Sequence, residues 1–327
     1  MNATLNATAR TYQTVPGIVS SFAWLPTFYQ RMSSRISLDP VSSLHASTQG
    51  EDSDNGKNAV WMRIDGRHFN AITDAGNDIT RNIRKVQLGY DRTIGMAMGD
   101  LIIGGFGEYG LLTAKTINTA GSGTVSAPSY GGGLTVTWLG DSGIYVDTQV
   151  QGNSIKADLS SSTGGLLKKD QQMISFAASM EIGRKVTLSQ HASLVPQVQF
   201  EYNRVNGGAF TDNLGNAVDL GVAKTYMGRM GLGYDYNIGR VGVYHSHIYS
   251  KASFVREMSN TNRVVVAGTV IKDAEPQNWG EFVLGGSIST SKGGINTALF
   301  GEFRGRRALH RGSGAGYGGT AGARLKW

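Results

Sequence analysis

Residues 58–327 alternate between hydrophobic and polar side chains with a period of two. Ile144, Val146 and Val150, for example, share one face of a predicted strand, and Asp147 lies on the opposite face. The same contrast between an uncharged and a charged face recurs in several other segments. Because neighbouring side chains of a β-strand point in opposite directions, the pattern predicts strands with one hydrophobic and one charged face.

Turn signals divide this region into twelve predicted antiparallel strands, and single-chain bacterial barrels have an even number of strands. Short connections such as 140–143 and 183–185 alternate with longer polar ones such as 118–124, 160–169 and 206–216. Short turns at one end and long loops at the other are typical of a transmembrane β-barrel. The predicted strands span residues 58–72, 79–95, 99–117, 125–139, 143–160, 170–182, 190–205, 217–236, 240–257, 276–288, 294–307 and 315–327.

Two all-β architectures place a charged face opposite a hydrophobic one. A soluble β-sandwich turns the hydrophobic face inward, whereas a membrane barrel turns it towards lipid and turns its charges towards the lumen. Aromatic side chains stand near predicted strand ends, among them Tyr90, Tyr234, Phe303 and the C-terminal Trp327. Aromatic residues concentrate at membrane interfaces, so they favour the barrel and leave a sandwich-type binding module as the alternative.

A short amphipathic segment precedes the strands. Pro26 suits the first position of a helix, and Phe28, Met32 and Ile36 follow at intervals of four residues. The sequence therefore predicts an α-helix before the first strand. The predicted division of the chain is a linker over residues 1–57, which includes a helix at about 27–36, and a barrel over residues 58–327.

Composition excludes several other classes of protein. The chain has no cysteine, so it has no disulfide, thiolate metal site or cysteine nucleophile. The net charge is +7, but the lysines and arginines are scattered, and we expect no nucleic-acid binding. His245 and His247 share a strand face without a recognisable third ligand, so we expect neither a metal site nor a bound cofactor.

Several motifs resemble those of the C-terminal translocator domain of bacterial autotransporters, the type V secretion proteins. Val60-Trp-Met-Arg63 resembles the family's W-x-R opening. The segments 194–202, 210–218 and 229–233 resemble, in this order, its PQxQxxY, FxDxxGxxV and RxGxxx motifs. Residues 322–327 are similar to its terminal strand, with tryptophan in place of the commoner final phenylalanine. The resemblance extends over nearly all of the chain after the first predicted helical residue.

The resemblance implies a twelve-stranded barrel in the outer membrane of a Gram-negative bacterium, which supports export of its own N-terminal passenger. The implied partners are this passenger, outer-membrane lipid and lipopolysaccharide, the outer-membrane assembly machinery and periplasmic chaperones. No enzymatic activity is implied: Pro26-Thr-Phe-Tyr29 stands where self-cleaving members have an asparagine pair. The enzymatic alternative is a protease on a similar barrel, which would need carboxylates and histidines that converge at the outer rim.

The resemblance also implies roles for particular residues. The helix would plug the pore, and Arg31 and Arg35, one turn apart on one face, would pair with the charged lumen. Alternatively, both arginines face solvent on a surface linker. Leu325 and Trp327 are the candidate signal for outer-membrane assembly, although Trp327 also suits an interfacial anchor. The charged residues predicted to line the lumen are Glu108, Asp147, Glu201, Arg229, Glu281 and Glu302.

Overall fold

The alternating segments form the long strands that their periodicity predicts, in a computed structural model that describes residues 6–36, 57–259, 262–309 and 314–327. Twelve of these strands form the wall of a barrel, and five shorter ones lie at its ends. The wall strands are β1 Asn58–Ile72, β2 Asp78–Met96, β3 Gly99–Asn118, β4 Gly121–Gly140, β5 Ile144–Ser161, β6 Gly165–Arg184, β8 Ala192–Asn206, β11 Val222–Val241, β12 Tyr244–Ser259, β15 Asn278–Lys292, β16 Ile295–Ala308 and β17 Gly314–Lys326. The short strands are β7 Val186–Thr187, β9 Ala209–Thr211, β10 Ala217–Asp219, β13 Asn262–Val266 and β14 Thr269–Asp273.

Each wall strand pairs antiparallel with the next along the chain, and the last strand pairs with the first. The β1–β17 pairing runs from Ala59 opposite Lys326 to Ala71 opposite Gly314. The wall is thus a ring without a free edge, which satisfies the backbone hydrogen-bonding groups that lipid cannot satisfy. This closed ring confirms the predicted twelve-stranded barrel and is not the two-layered sandwich that the alternation also permitted.

The hydrophobic face of the wall points outward. Leu88 is 61% exposed and Met230 is 63% exposed, although both are large and apolar. The charged residues on the opposite face of the strands, such as Arg63, Asp147 and Glu201, point inward and are buried. The predicted assignment of faces is therefore correct, and the barrel has the outward apolar surface that contact with hydrocarbon requires.

Turns and loops differ between the two ends of the barrel, but less than the sequence predicts. The predicted long loops at 118–124 and 160–169 are wrong, because β3 and β4 are joined by residues 119–120 and β5 and β6 by residues 162–164. Strands of about 9–11 residues suffice to cross a bilayer, whereas β3 and β6 each have 20. Their polar ends therefore extend beyond the apolar band, where water on the outer face tolerates polar side chains.

The two longest connections, between β8 and β11 and between β12 and β15, lie at the same end of the barrel. They contain a small additional sheet in the order β14-β13-β10-β9. This loop sheet was not predicted, and residues 217–219, assigned from the sequence to the start of a wall strand, belong to it as β10. It packs over the end of the lumen, where Tyr12 makes an edge-to-face contact with Phe210. Long loops face outward in bacterial barrels, so we call this end the outer end and the opposite end, with its short turns, the inner end.

Two helices occupy the lumen: α1 Ala7–Ser20, followed by a 3₁₀ turn at Ser21–Ala23, and α2 Phe28–Ile36. The predicted helix is α2, whereas α1 was not predicted. Helix α1 contains Pro16 and β-branched residues, which disfavour an isolated helix, and burial against the wall stabilises it instead. None of the helices in the described ranges has the length and hydrophobicity that a membrane span requires.

Candidate functional site: the helix-filled lumen

Helix α1 fills the outer half of the lumen with a hydrophobic contact. Val15, Ile18 and Val19 of α1 and Phe22 of the following 3₁₀ turn are completely buried there. The inward-facing side chains of the strands, which we call the lumen wall, are also apolar at this level. They include Ile79, Ile83, Leu112, Ile155 and Leu159. A lumen lined mainly by charges is the expectation for a water-filled pore, and the apolar layer shows that this half is packed like a protein core.

Two glycines of the wall allow α1 and the 3₁₀ turn after it to approach the strands closely. A Cβ atom at Gly110 would lie 2.8 Å from Cε1 of Phe22, and one at Gly123 would lie 2.1 Å from Oγ1 of Thr11. Both positions face inward, so any larger residue would displace the helix. Glycine at these two positions of β3 and β4 thus has a steric reason in the packed lumen.

Residues 21–27, which we call the helix break, separate α1 from α2 and expose backbone groups inside the barrel. The wall supplies their hydrogen-bond partners. Lys85 donates from Nζ to the carbonyl of Phe22, and Gln149 donates from Nε2 to the carbonyl of Pro26 over 2.7 Å. Because an unpaired backbone carbonyl in this interior would be costly, these side chains hold the non-helical segment in one position.

Two wall carboxylates accept hydrogen bonds from backbone N–H groups, one in the helix break and one at the start of α2. Glu201 accepts from Leu25 over 3.3 Å, and Glu181 accepts from Phe28 over 3.1 Å. A carboxylate at a helix N-terminus satisfies free N–H groups and interacts favourably with the helix dipole. Glu201 was predicted to line the lumen, and the alternation also points Glu181 inward, but neither partner is visible in the sequence.

Side chains of α2 bind the inner half of the wall. Arg31 forms a buried ion pair with Asp147, which also accepts a hydrogen bond from Thr137 over 2.6 Å. Tyr29 donates to Asp235 over 2.8 Å. Arg31 therefore faces the wall and not solvent. The side chain of Arg35 lies outside the described part of the structure.

Glu302 is a further contact between α2 and the wall. It accepts hydrogen bonds from Nε2 of Gln30 over 2.6 Å and from the hydroxyl of Tyr249 over 2.7 Å. Together with Asp147, it gives α2 polar contacts on more than one side of the barrel.

The other charged residues predicted for the lumen wall bind wall residues on the next strand or the next but one. Glu108 lies 3.4 Å from Nζ of Lys85 and accepts a hydrogen bond from Gln87 over 2.6 Å. Nε of Arg229 lies 3.4 Å from a carboxylate oxygen of Glu281. All of them face the lumen, and these ion pairs offset the cost of removing their charges from water.

Little space remains beside the helix break. A cavity between Trp24, Arg67 and Glu201 has a volume of about 30 Å³, which leaves room for about two water molecules. The guanidinium of Arg306 stacks near Trp24, 5.0 Å from the ring centroid, and forms an ion pair with Glu257 over 2.6 Å. At this level the lumen is too narrow for hydrated solutes.

At the outer end, Asp212 connects α1 to a loop outside the membrane. It accepts hydrogen bonds from the Tyr12 hydroxyl over 2.8 Å and from the backbone N–H of Asn216 over 2.7 Å. Burial acts to raise the pKa of the Asp212 carboxyl, but the hydrogen bonds from Asn216 and Tyr12 outweigh it and lower this pKa. The charged form is the one that the site stabilises, so the link to α1 is a carboxylate acceptor.

The C-terminal residues lie on the outer face at the inner end of the barrel. Leu325 is 48% and Trp327 is 43% exposed. The backbone of Trp327 exchanges two hydrogen bonds of 3.0 Å with Asn58. Barrel closure at this point thus uses the backbone of Trp327, while its indole ring is free to contact lipid or protein.

A ring of strands with an apolar outer face and a lumen filled by its own helices defines a plugged transmembrane β-barrel. The family model described as autotransporter beta-domain matches residues 60–302, and the chain belongs to this family. It is an outer-membrane translocator domain, integral to the outer membrane.

Relatives and solved structures agree with this assignment. The chain is 26% identical over 332 aligned positions to the adhesin BmaC autotransporter of Brucella suis biovar 1. The match covers 97% of this chain but only 9% of that protein, so the chain spans a small part of this relative. The transport unit of the autotransporter AIDA-I from Escherichia coli superposes with a TM-score of 0.68 at 18% identity, over 97% of this chain and 100% of that one. The beta domain of the Bordetella autotransporter BrkA gives 0.65 at 20% identity, over 83% and 100%. At these identities the two structures establish the fold alone.

Proposed function

We propose that this domain supports export of a passenger joined to its N-terminal side, and that α1 and α2 then close the pore. The path of the chain through the lumen carries the proposal. Helix α1 starts at the outer end, where Arg10 donates to the carbonyl of Ala75 in a loop over 3.0 Å. Helix α2 lies in the inner half, where Arg31 pairs with Asp147. The polypeptide thus runs from outside, through the barrel, towards the periplasmic side.

The proposed role is transport without catalysis by this domain. Pro26 and Thr27, which stand where self-cleaving relatives have an asparagine pair, are part of the helix break and contact the wall through Gln149 and Lys251. Their role here is anchoring, and passenger self-cleavage is not proposed. The proposed partners are the passenger, outer-membrane lipid and lipopolysaccharide, the assembly machinery and periplasmic chaperones.

A reporter passenger tests the proposal. The full chain is expressed behind a secretion signal with an epitope-tagged reporter fused before Met1. We expect protease added to intact cells to remove the epitope, while the barrel keeps its boiling-dependent shift on gels. The control is the same reporter with the secretion signal but without the barrel, which should stay protected in the periplasm. A folded, membrane-inserted barrel whose reporter also stays protected would contradict the export function.

Replacing Trp327 with alanine is expected to lower the yield of assembled barrel several-fold, and replacing it with phenylalanine is expected to restore most of that yield. The physical reason is that the hydrogen bonds to Asn58 come from the backbone and survive both substitutions, so that only the aromatic ring changes. The measurement is the heat-modifiable fraction in outer membranes at matched expression. Equal assembly of the alanine variant would show that the ring is not a recognition signal.

A further inference from the structure

Basic residues face outward on the wall, just beyond its hydrophobic band. β8 and β11 show this order on their outward face. Val198 lies opposite Met230 within the apolar band, and Tyr202 lies opposite Tyr226 nearer the outer end. The next outward pair is Arg204 opposite Lys224. An apolar band followed by aromatic and then basic residues is the order expected across the boundary between hydrocarbon and lipid headgroups. Like charges directly opposite each other also repel, which an external anion would relieve.

This basic belt continues around the barrel. Its members are exposed or partly exposed, and in the described part of the chain none of them forms an ion pair or a side-chain hydrogen bond. The inward arginines behave differently, since Arg229 and Arg306 both have carboxylate partners. The outward positions include Arg84, Lys156, Arg204, Lys224, Arg256 and Arg307.

Below two of these arginines the outer face has an open groove of about 870 Å³ between β11 and β17. The large apolar side chains at its edges are Met230, Phe254 and Phe282, whereas Gly305 leaves part of its floor open, with no atom within 4 Å of an added Cβ. Most of a membrane barrel's outer face is filled by large side chains, so a depression of this size is a place where a lipid acyl chain can pack closely.

Arg256 and Arg307 flank the outer end of this groove. Arg307 lies opposite Gly280 on β15, and Arg256 lies opposite Asn278 on the same strand. They are thus two strand spacings and two residues apart, or about 12 Å between backbones. Between them, Gly280 has no side chain of its own, and the apolar side chain of Leu309 lies over it, since a Cβ atom there would be 3.2 Å from Cδ2 of Leu309. Guanidinium groups bind phosphate oxygens in bidentate fashion, so the pair suits one phosphate above an apolar chain.

We propose that this groove and its two arginines bind one molecule of the phosphorylated glycolipid of the outer leaflet, the lipid A part of lipopolysaccharide. The acyl chain lies along Phe254 and Phe282, and a phosphate sits between Arg256 and Arg307. The assignment to the outer leaflet rests on the proposed function, which puts the long-loop end outside the cell. Charge complementarity selects a phosphate-bearing lipid, and the position of the arginines at the outer end selects lipid A over inner-leaflet phospholipid.

Native mass spectrometry of the full chain, folded in neutral detergent, tests the site with three lipids: bisphosphorylated lipid A, the same lipid without phosphates, and phosphatidylglycerol. We expect bisphosphorylated lipid A to bind at least about tenfold more tightly than the same lipid without phosphates, which cannot make the two charge-assisted contacts. We also expect it to bind more tightly than phosphatidylglycerol, because a phosphodiester carries only one negative charge. Equal affinity for phosphatidylglycerol would overturn the assignment to lipid A in favour of a general anionic-lipid site.

Two variants separate the contribution of charge from that of shape. Arg256→Gln with Arg307→Gln should remove the preference for phosphate and leave binding of dephosphorylated lipid A unchanged. Gly305→Leu should weaken binding of both forms of lipid A by filling the groove. A Cβ atom at Gly305 meets no atom within 4 Å, so this substitution should not disturb folding. The matched controls are Arg84→Gln, in the belt away from the groove, and Gly107→Leu, an equally open position on β3.

The outcomes distinguish this inference from the proposed function. If both groove variants bind lipid A like the unmodified chain, while heat-modifiable migration and reporter export are normal, the lipid site is wrong and the export function stands. If Arg84→Gln and Gly107→Leu weaken binding as much as the groove variants, binding is spread over the belt and the specific site is overturned. Failure of the reporter to reach the surface, with lipid binding intact, contradicts the export function alone.

Discussion

Replacing Asp147 with alanine is expected to destabilise the folded barrel by about 3–5 kcal/mol and to raise its single-channel conductance. Asp147 has no exposed surface and accepts hydrogen bonds from Arg31, Thr137 and Gln149. Its removal leaves the Arg31 guanidinium in the lumen without a carboxylate partner. The arginine can regain hydration only if α2 moves and water enters, so loss of stability and increased ion flow should occur together.

The measurements are the temperature at which boiling-dependent migration is lost and the conductance of single barrels in planar bilayers. The control is the double variant Arg31→Ala with Asp147→Ala, which removes both charges and should regain part of the stability. A double-mutant cycle then isolates the energy of the pair. If the Asp147→Ala variant keeps both the stability and the conductance of the unmodified chain, α2 has no sealing role through this ion pair.

Replacing Ile18 with aspartate is expected to release α1 from the outer half of the lumen and to produce the larger increase in conductance of the two. Ile18 is completely buried in the apolar layer formed with Ile83 and Leu112. An unpaired carboxylate there would cost several kcal/mol, more than the contacts of one short helix can offset. The wall itself consists of paired strands, so it should stay closed while the helix leaves.

Ile18→Val is the matched control, because it removes one methylene group and should cost only about 0.5–1.5 kcal/mol without opening the pore. Protease digestion from the outer side provides a second measurement, since a released α1 becomes cleavable whereas a buried one does not. Normal conductance and full protection of the aspartate variant would show that α1 is not the outer seal.

The two substitutions act on different halves of the lumen: Asp147 binds α2 in the inner half, and Ile18 belongs to α1 in the outer half. The sequence predicts the contents of the inner half better than those of the outer half. The ion pair of α2 could be predicted from the sequence. Phe28, Met32 and Ile36 mark an amphipathic helix, and Asp147 is a charged residue on the strand face opposite the hydrophobic one. Helix α1 could not be predicted in this way, because Pro16 and Gly17 lie inside it and its residues form no clear polar stripe. A helix surrounded by protein on all sides has no solvent face for a pattern to reveal.

Sequence patterns were also insufficient to predict the loops at the outer end. Segments rich in serine, threonine and glycine, such as 118–124, indicate a loop by composition, yet here they extend the strands. Pairing with a neighbouring strand decides whether such residues are extended, and only the closed barrel supplies that neighbour on both sides. The loop sheet arises similarly, because Val218 lies opposite Val266 from a loop far along the chain.

By itself, the sequence determined the number of wall strands, the face of each that meets lipid, and the aromatic C-terminus, because a period of two and the exclusion of charge from hydrocarbon act on each strand separately. The tertiary structure alone decided that α1 packs in the lumen, that Glu181 and Lys85 bind the helix break, and that Arg256 and Arg307 flank one groove. These contacts join residues far apart in the chain, and their distances depend on how the strands are staggered around the barrel, which no local pattern encodes.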